Sequence, residues 1–390
     1  MISKKDRCSG CGACAAVCHT GALVMRPNEN NGFTYPVLRE DLCVHCGQCD
    51  TICPEEYRPK VDRLVPQEAI ACQHQDPTVR NQSASGGFFR ALAQEVIAEG
   101  GTVYGAVHDS ASSVCHRAAE TLDELVPMSG SKYVQSELRD CFCRTDRLLR
   151  EGHLVLFSGT MCQIAGLYNY LKRDDPNLVT ITLVCHGNTS PLLLRSYVQY
   201  LETQLERKVH RINFRDKEYG WDCGSAVSCV DTEGKKHRLE GIWGSYLRGF
   251  VASPNYVKRS CCYACAWKGF PSIGDFLIGD YWDLPADTEI PFDRKQGVSL
   301  VLINSAKGEV FFQKIQEKLI CLNRPFEEVN GGTLLHSVKE ASNRQEFWRD
   351  CRTLPFDRLA KKYFLPRITL RRIASKMYRG MRKVLFGRNK

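Results

Sequence analysis

Eight cysteines before residue 54 fall into two runs with one spacing. Cys8, Cys11, Cys14 and Cys18 read C-x2-C-x2-C-x3-C, and Cys43, Cys46, Cys49 and Cys53 repeat the pattern, closed by Pro54. Soft thiolate sulfurs suit an iron–sulfide core, and three closely spaced cysteines wrap one cubane while the fourth of the run reaches the neighbouring one. The spacing therefore assigns Cys8, Cys11, Cys14 and Cys53 to one 4Fe-4S cluster. It assigns Cys43, Cys46, Cys49 and Cys18 to a second, in the arrangement of a bacterial-type ferredoxin domain over residues 1–60. Zinc or disulfides would not need the x2, x2, x3 period twice. His19 stands where a proline would follow the first run, a change that bears on packing or potential more than on ligation.

A second group of cysteines lies in the body of the chain. Cys162 and Cys185 each fall just past the end of an expected parallel strand, the edge where α/β sheets build their sites. Cys262-Tyr263-Ala264-Cys265 adds a C-x2-C pair, with Cys261 beside it. Spacing leaves four readings open for these thiols: a third cluster, a redox dithiol, a zinc site or ordinary buried cysteines. The others, Cys72 and Cys321 among them, show no ligand-like grouping beyond the Cys141/Cys143 pair and read as structural.

The elements that must position these groups are legible from periodicity. Ala22–Arg26 and Thr34–Arg39 flank Asn28-Glu29-Asn30-Asn31-Gly32 as a hairpin across a turn. The polar, proline-bearing stretch from Pro54 to Pro66 reads as a linker. Ser85-Gly86-Gly87 opens a helix with Phe89, Leu92, Ala93, Val96 and Ile97 on one face, ended by Gly100-Gly101. Thr102–Val107 reads as a strand. His153–Phe157 leads through Ser158-Gly159-Thr160 into a helix reaching Leu171. Leu178–Val184 leads through Cys185-His186-Gly187 into a helix from Ser190 to Glu206. Strand, turn and helix twice over predict neighbouring parallel strands. Further strands are expected near Val209–Arg215, Ser225–Val230 and Val298–Ile303, and a helix near Glu309–Leu319. The fold class expected is α+β or α/β, a ferredoxin domain followed by a mixed α/β body. Its parts are 1–60, 67–150, 151–325 and a tail over 355–390.

The tail is set apart by charge. Arg358 to Lys390 holds twelve Lys or Arg and no Asp or Glu, so residues 1–357 carry −3 against +9 for the chain. As a helix, residues 370–385 would place Leu370, Ile373, Met377, Met381 and Leu385 on one arc and Arg371, Arg372, Arg379 and Lys383 on the other. That pattern fits an anionic membrane surface or a protein contact; nucleic acid is not expected, for lack of base-reading features. No apolar stretch follows Met1 and no apolar run approaches the roughly 20 residues of a membrane span. The expectation is a cytoplasmic protein with reduced thiols, peripheral at the inner face of the membrane.

Several segments in order resemble the beta subunits of coenzyme F-420-reducing hydrogenases and dehydrogenases and their stand-alone relatives. They are Ser83–Gly87, Gly130–Ser136, Ser158–Gly166, Val184–Gly187, Cys262–Cys265 and Ile278–Trp282, and the resemblance covers roughly residues 1–320. It implies FAD and a third 4Fe-4S cluster in the body, with Cys162, Cys185, Cys262 and Cys265 as ligands. Met161 stands where the family carries proline, Lys258-Arg259-Ser260-Cys261 replaces an Arg-Pro-Ser approach, and Cys261 competes with Cys262 as ligand. Ser85, Gly86 and Gly87 would offer backbone N–H groups to a dinucleotide phosphate, the alternative being a plain helix cap. Ser131, Lys132 and Tyr133 would line the same cofactor; Asp280 and His186 read equally as structural. No G-x-G-x-x-G follows a strand, so a Rossmann site has no support.

The activity this implies is iron–sulfur flavin-dependent oxidoreduction, a wire of clusters ending at FAD and exchanging hydride with coenzyme F-420 or another organic substrate. The alternative is a non-catalytic electron-transfer subunit. Expected redox partners are ferredoxin, reduced F-420 or NADH; no residue is assigned a catalytic role.

Overall fold

The computed structural model describes residues 6–221, 227–251, 254–329 and 331–365. The amphipathic helix expected over 370–385, and Cys223, lie outside the described residues. No described helix is long and apolar enough to cross a membrane.

The front of the chain is two short helices, α1 (Ala13–Ala16) and α2 (Gln48–Thr51), around an antiparallel hairpin of β1 (Leu23–Pro27) and β2 (Thr34–Leu38). The hairpin turn follows from its asparagines. Asn28 Oδ1 accepts from the Asn30 N–H and Asn31 Oδ1 from the Phe33 N–H, and Gly32 takes the left-handed φ of +72°. Gly32 is also required by a close approach, since a Cβ there would lie 2.3 Å from Leu192 Cβ. Beyond the hairpin, Phe33 and Tyr35 are buried in the same apolar cluster as Leu193, Tyr197 and Tyr246, so the front unit shares a core with the body.

The body is built on strands β3 (Glu68–His74), β4 (Thr102–Ser110), β5 (Ser113–Ala119), β6 (Val155–Thr160), β7 (Leu178–Leu183), β8 (Val209–Asn213), β9 (Ser228–Asp231), β10 (Lys236–Arg238), β11 (Phe276–Asp280), β12 (Ser299–Ile303) and β13 (Leu319–Pro325). Eight form one mixed sheet in the order β13-β3-β12-β11-β7-β6-β4-β5, and β10-β9-β8 form a small antiparallel sheet. The neighbours β4, β6, β7 and β11 run parallel. Both faces of the large sheet are covered, which is why β6 and β7 are almost continuously buried rather than alternating.

The helices that matter for the site are α3 (Pro77–Gln82), α4 (Phe88–Ala98), α5 (Cys141–Arg150), α6 (Met161–Leu171) and α7 (Pro191–Leu205). α6 starts sharply because Thr160 and Gln163 cap each other's backbone. α7 starts with a Ser190 cap on the Leu192 N–H and Pro191 at its first position. Phe88, Leu92 and Val96 of α4 pack with Phe311, Phe312 and Ile315 over one face of the sheet. Ile164, Leu167, Tyr168 and Phe142 cover the other face together with Cys11 and Ile52 of the front unit. Each such side chain taken from water contributes about 1.5–3 kcal/mol.

Two expectations shift. The helix expected near Glu309–Leu319 spans Ala306–Ile315, because Ser305 Oγ caps the Gly308 N–H and Leu319 already belongs to β13. Beyond residue 208 the strand expected near Val298–Ile303 is β12, and beside it β11, which was not expected, joins the middle of the large sheet. The segment leading from the front unit to β3 is fastened: Arg63 Nε donates to Ile273 O at 2.9 Å, and its guanidinium faces Asp174 and the fully buried Asp275.

Candidate redox site

The two front cysteine loops share a backbone as well as a spacing. Gly10 and His45, two residues after Cys8 and Cys43, have φ of +72° and +53°; Gly12 and Gly47, four residues after, have +78° and +72° and cap α1 and α2. Left-handed residues at matching positions fold each loop back so that its thiols face one point. Gly10 has no spare room: a Cβ would sit 2.5 Å from Gln135 Nε2 and 2.8 Å from Arg259 Nη1.

Within the first set, the Cys11 thiol is pushed far up by burial, and the charges of Cys14, Cys8 and Cys53 add to the effect. Burial pushes Cys14 up to about 12, with Cys8 and Cys53 again contributing. These four thiols are therefore gathered, and as bare thiolates they would be costly; bound iron would remove that cost. Cys11 also lies against α6, where a Cβ on Gly166 would come within 2.9 Å of its Sγ. In the second set burial raises Cys49, with Asp50 and Cys18 adding, Cys43 Sγ lies 3.8 Å from His45 Nδ1, and Cys46 is exposed. Cys49 also acts on Cys14, so the two sets adjoin.

The body thiols converge as well. Cys162, at the start of α6, and Cys185, past the end of β7, share a pocket with Cys261, Cys262 and Cys265. Burial raises Cys162, and Cys265, Cys185 and Cys262 raise it further. Thr160 Oγ1 lies 3.3 Å from Cys162 Sγ, and the Gly187 N–H donates to Cys185 Sγ at 3.3 Å. Cys262 is held down at about 7, first by the hydrogen bond from Cys261 and then by backbone and cationic neighbours, while Cys261 is driven far up. Among the described residues no three His, Cys, Asp or Glu side chains close around a single-ion site.

Two buried cations serve these thiols, and periodicity had marked neither. Arg259 is fully buried. It donates from Nε to Cys8 O at 2.5 Å and from Nη2 to Thr34 O at 3.0 Å, and it stands 4.1 Å over the Tyr35 ring. Its charge also acts on Cys262, so it stands between the first front set and the body set. Lys258 is equally buried, and its Nζ has no hydrogen-bond partner among the described residues. Its neighbours are the Phe250 ring at 4.5 Å and the Cys185 and Cys262 thiols. Burial lowers it to about 7, and negative charge on those sulfurs favours its cationic form. The only signal in the sequence was two consecutive cations just before the cysteine pair.

Beside the thiol pocket lies a cavity of about 280 Å³, close to the lower end of ligand pockets at roughly 300–1,000 Å³. Ser85, Gly87, Ser131, Lys132 and Tyr133 line it, with His116, His186 and Asp280. Gly86 is turned the other way, against the backbone of β3, where a Cβ would lie 2.1 Å from Cys72 O. Lys132 Nζ donates to Pro127 O at 2.6 Å, and burial with nearby Arg211 lowers it to about 7. Burial raises Asp280, which accepts from Trp221 Nε1 at 3.2 Å. His116 is buried, lowered to about 4 by burial, and its Nδ1 has no partner among the described residues. A phosphate- and ring-bearing cofactor fits such a wall: serines, glycines, a lysine and one orphan ring nitrogen around a mostly apolar space.

The two pockets are contiguous. Thr160, Cys185, Gly187 and Asn188 line both, and Ser9 and Glu55 of the front unit also line the thiol pocket. Trp267 Nε1 donates to Glu55 Oε1 at 3.2 Å across that boundary.

Two family models match the chain. Residues 152–328 match the model for the carboxy-terminal part of the coenzyme F420 hydrogenase/dehydrogenase beta subunit, and residues 7–57 match the 4Fe-4S dicluster domain. An uncharacterized protein of Methanocaldococcus jannaschii is 22% identical over 337 residues, covering 79% of this chain and 86% of its own. A polypeptide in the xenon-derivatized F420-reducing NiFe hydrogenase complex of Methanosarcina barkeri is similar at 18% identity and a TM-score of 0.46, covering 78% of this chain and 90% of its own.

Proposed function

We propose that this chain, which belongs through residues 152–328 to the coenzyme F420 hydrogenase/dehydrogenase beta-subunit family and carries a 4Fe-4S dicluster domain at its front, is an iron–sulfur flavoprotein oxidoreductase. In this reading Cys43, Cys46, Cys49 and Cys18 hold the outermost cluster. Cys8, Cys11, Cys14 and Cys53 hold the next, and Cys162, Cys185, Cys262 and Cys265 hold a third against the cavity. FAD in that cavity would join one-electron transfer to two-electron hydride exchange.

The residues divide the work. Arg259 anchors the first front loop to the body set and keeps the two close. Lys258 compensates charge on the body set. Ser85, Gly87, Ser131, Lys132 and Tyr133 bind and orient the cofactor, and β4, β6 and β11 with Phe250 keep water from it. The hydride partner is coenzyme F-420 or another organic molecule, with ferredoxin, reduced F-420 and NADH as the donors to try.

The observation that carries this reading is the wall shared by the thiol pocket and the cavity, with Ser9 and Glu55 of the front unit also lining the thiol pocket. Anaerobic purification followed by iron and flavin analysis tests it. About twelve irons, four per ligand set, and one flavin per chain are expected. The relay reading draws support from exposed Val44, 60% accessible beside exposed Cys46; eight irons and no flavin would replace the first proposal by it.

A further inference from the structure

The thiol pair of strands β3 and β13 has no part in the proposed electron path. In the antiparallel register Cys72 faces Cys321 directly, 249 positions apart in sequence. We propose that Cys72 and Cys321 are a reversible dithiol–disulfide couple that joins the edge strand β13 to β3 directly behind the cavity wall.

Directly opposed residues of an antiparallel pair have Cα atoms about 4.5–5.5 Å apart, inside the roughly 4.4–6.8 Å range of disulfides. Their side chains leave the same face of the sheet and pack into the same apolar cluster. Exposure is divided between them, Cys72 being fully buried and Cys321 partly open. The nucleophile is thus the sulfur that a small molecule can reach, and the buried sulfur resolves the adduct.

The oxidant is a low-molecular-weight disulfide. Cys321 sulfur attacks one of its sulfurs, forming a mixed disulfide and releasing one small thiol. Cys72 then gives up its proton and attacks Cys321 Sγ, forming the Cys72–Cys321 bond and releasing the second small thiol. The protein loses two electrons and two hydrogens, and the small disulfide gains both.

The position gives the bond a reach beyond the two strands. Gly86 packs on Cys72 O, and the His74 N–H donates to Gly86 O at 2.8 Å. A covalent tie between β3 and β13 therefore bears on the Ser85–Gly87 turn that walls the cavity. This inference does not depend on which cofactor fills that cavity.

The test is incubation of the anaerobic holoprotein with glutathione disulfide, alkylation of remaining thiols, and peptide mapping. The expected result is a peptide pair linked through Cys72 and Cys321, reversed by excess thiol. Cys72→Ala should stop at a glutathione adduct on Cys321, and Cys321→Ala should leave Cys72 unmodified. Recovery of both residues as free thiols while exposed Cys143 becomes modified overturns the proposal, as does an adduct on Cys321 that persists in the wild-type chain.

Discussion

The Nε of Arg259 lies 2.5 Å from the carbonyl oxygen of Cys8, 251 residues earlier in the chain. One guanidinium thereby fixes the first cysteine loop, the hairpin carbonyl of Thr34 and the approach to Cys261-Cys262. Arg259→Met removes the fork and strands two buried carbonyls. A stability loss of about 3–5 kcal/mol is expected, with iron falling by about four per chain as the first cluster is lost. Arg259→Lys, which keeps the charge but not the planar fork, should fall between. Unchanged iron in the methionine variant would show that the contact is incidental.

Gly166→Ala sets helix propensity against packing. Alanine inside α6 should gain about 1 kcal/mol from propensity alone. Its Cβ, however, would stand 2.9 Å from Cys11 Sγ and 3.0 Å from Cys11 Cβ, and overpacking costs about 1–3 kcal/mol. The expected net result is destabilisation, with cluster content reduced at the front and intact in the body, read by thermal melting and by electron paramagnetic resonance. A more stable protein with full cluster content would refute the close approach.

Lys258→Met deletes a buried positive charge beside Cys185 and Cys262. Positive charge favours the reduced cluster, so its removal should lower the midpoint potential of the body cluster. A fall on the order of 60 mV corresponds to a tenfold change in a one-electron equilibrium. A spectroscopic redox titration in which only the front clusters move would contradict the assignment.

Cys262→Ser and Cys261→Ser separate two adjacent candidates. Cys262 is the thiol held near 7 and Cys261 the one that donates to it. The first variant should lose the body iron and the second should keep it. The reverse pattern would make Cys261 the ligand.

His116 supplies a pH dependence. Its folded value of about 4 lies below the ordinary imidazole value because burial disfavours the cation. The unfolded chain therefore binds the proton first as pH falls. The stability contribution is complete above about pH 6.5, declines below it and is gone near pH 4, by up to about 3 kcal/mol. Denaturant melts across pH 4–7 should show a shallower slope for His116→Phe than for wild type; equal slopes would mean the ring is hydrated.

The sequence makes some of this arrangement readable and hides the rest for physical reasons. The duplicated cysteine spacing is local, so two matching front loops could be read from it, though their matching left-handed residues were not. β6 and β7 were readable because both are short apolar runs closed by tight turns before capped helices. By contrast β3 and β13 pair through a register that spans most of the chain, and β11 owes its place to β7 and β12 rather than to any pattern of its own. Arg259 and Lys258 look like surface cations until the fold buries them. The facing of Cys72 and Cys321 is likewise a property of strand order alone.

The clasp at the hairpin tip has a kinetic meaning. With Gly32 wedged against Leu192, Ser190 Oγ donating to Asn31 O and Arg259 gripping Cys8, the front unit cannot swing as a tethered shuttle between a distant donor and the body. On the proposed electron path, tunnelling gaps would then be constants of the architecture. A redox partner would have to travel to the Cys46 end of the molecule, and encounter there, rather than internal reorientation, would become the step that viscosity and ionic strength control.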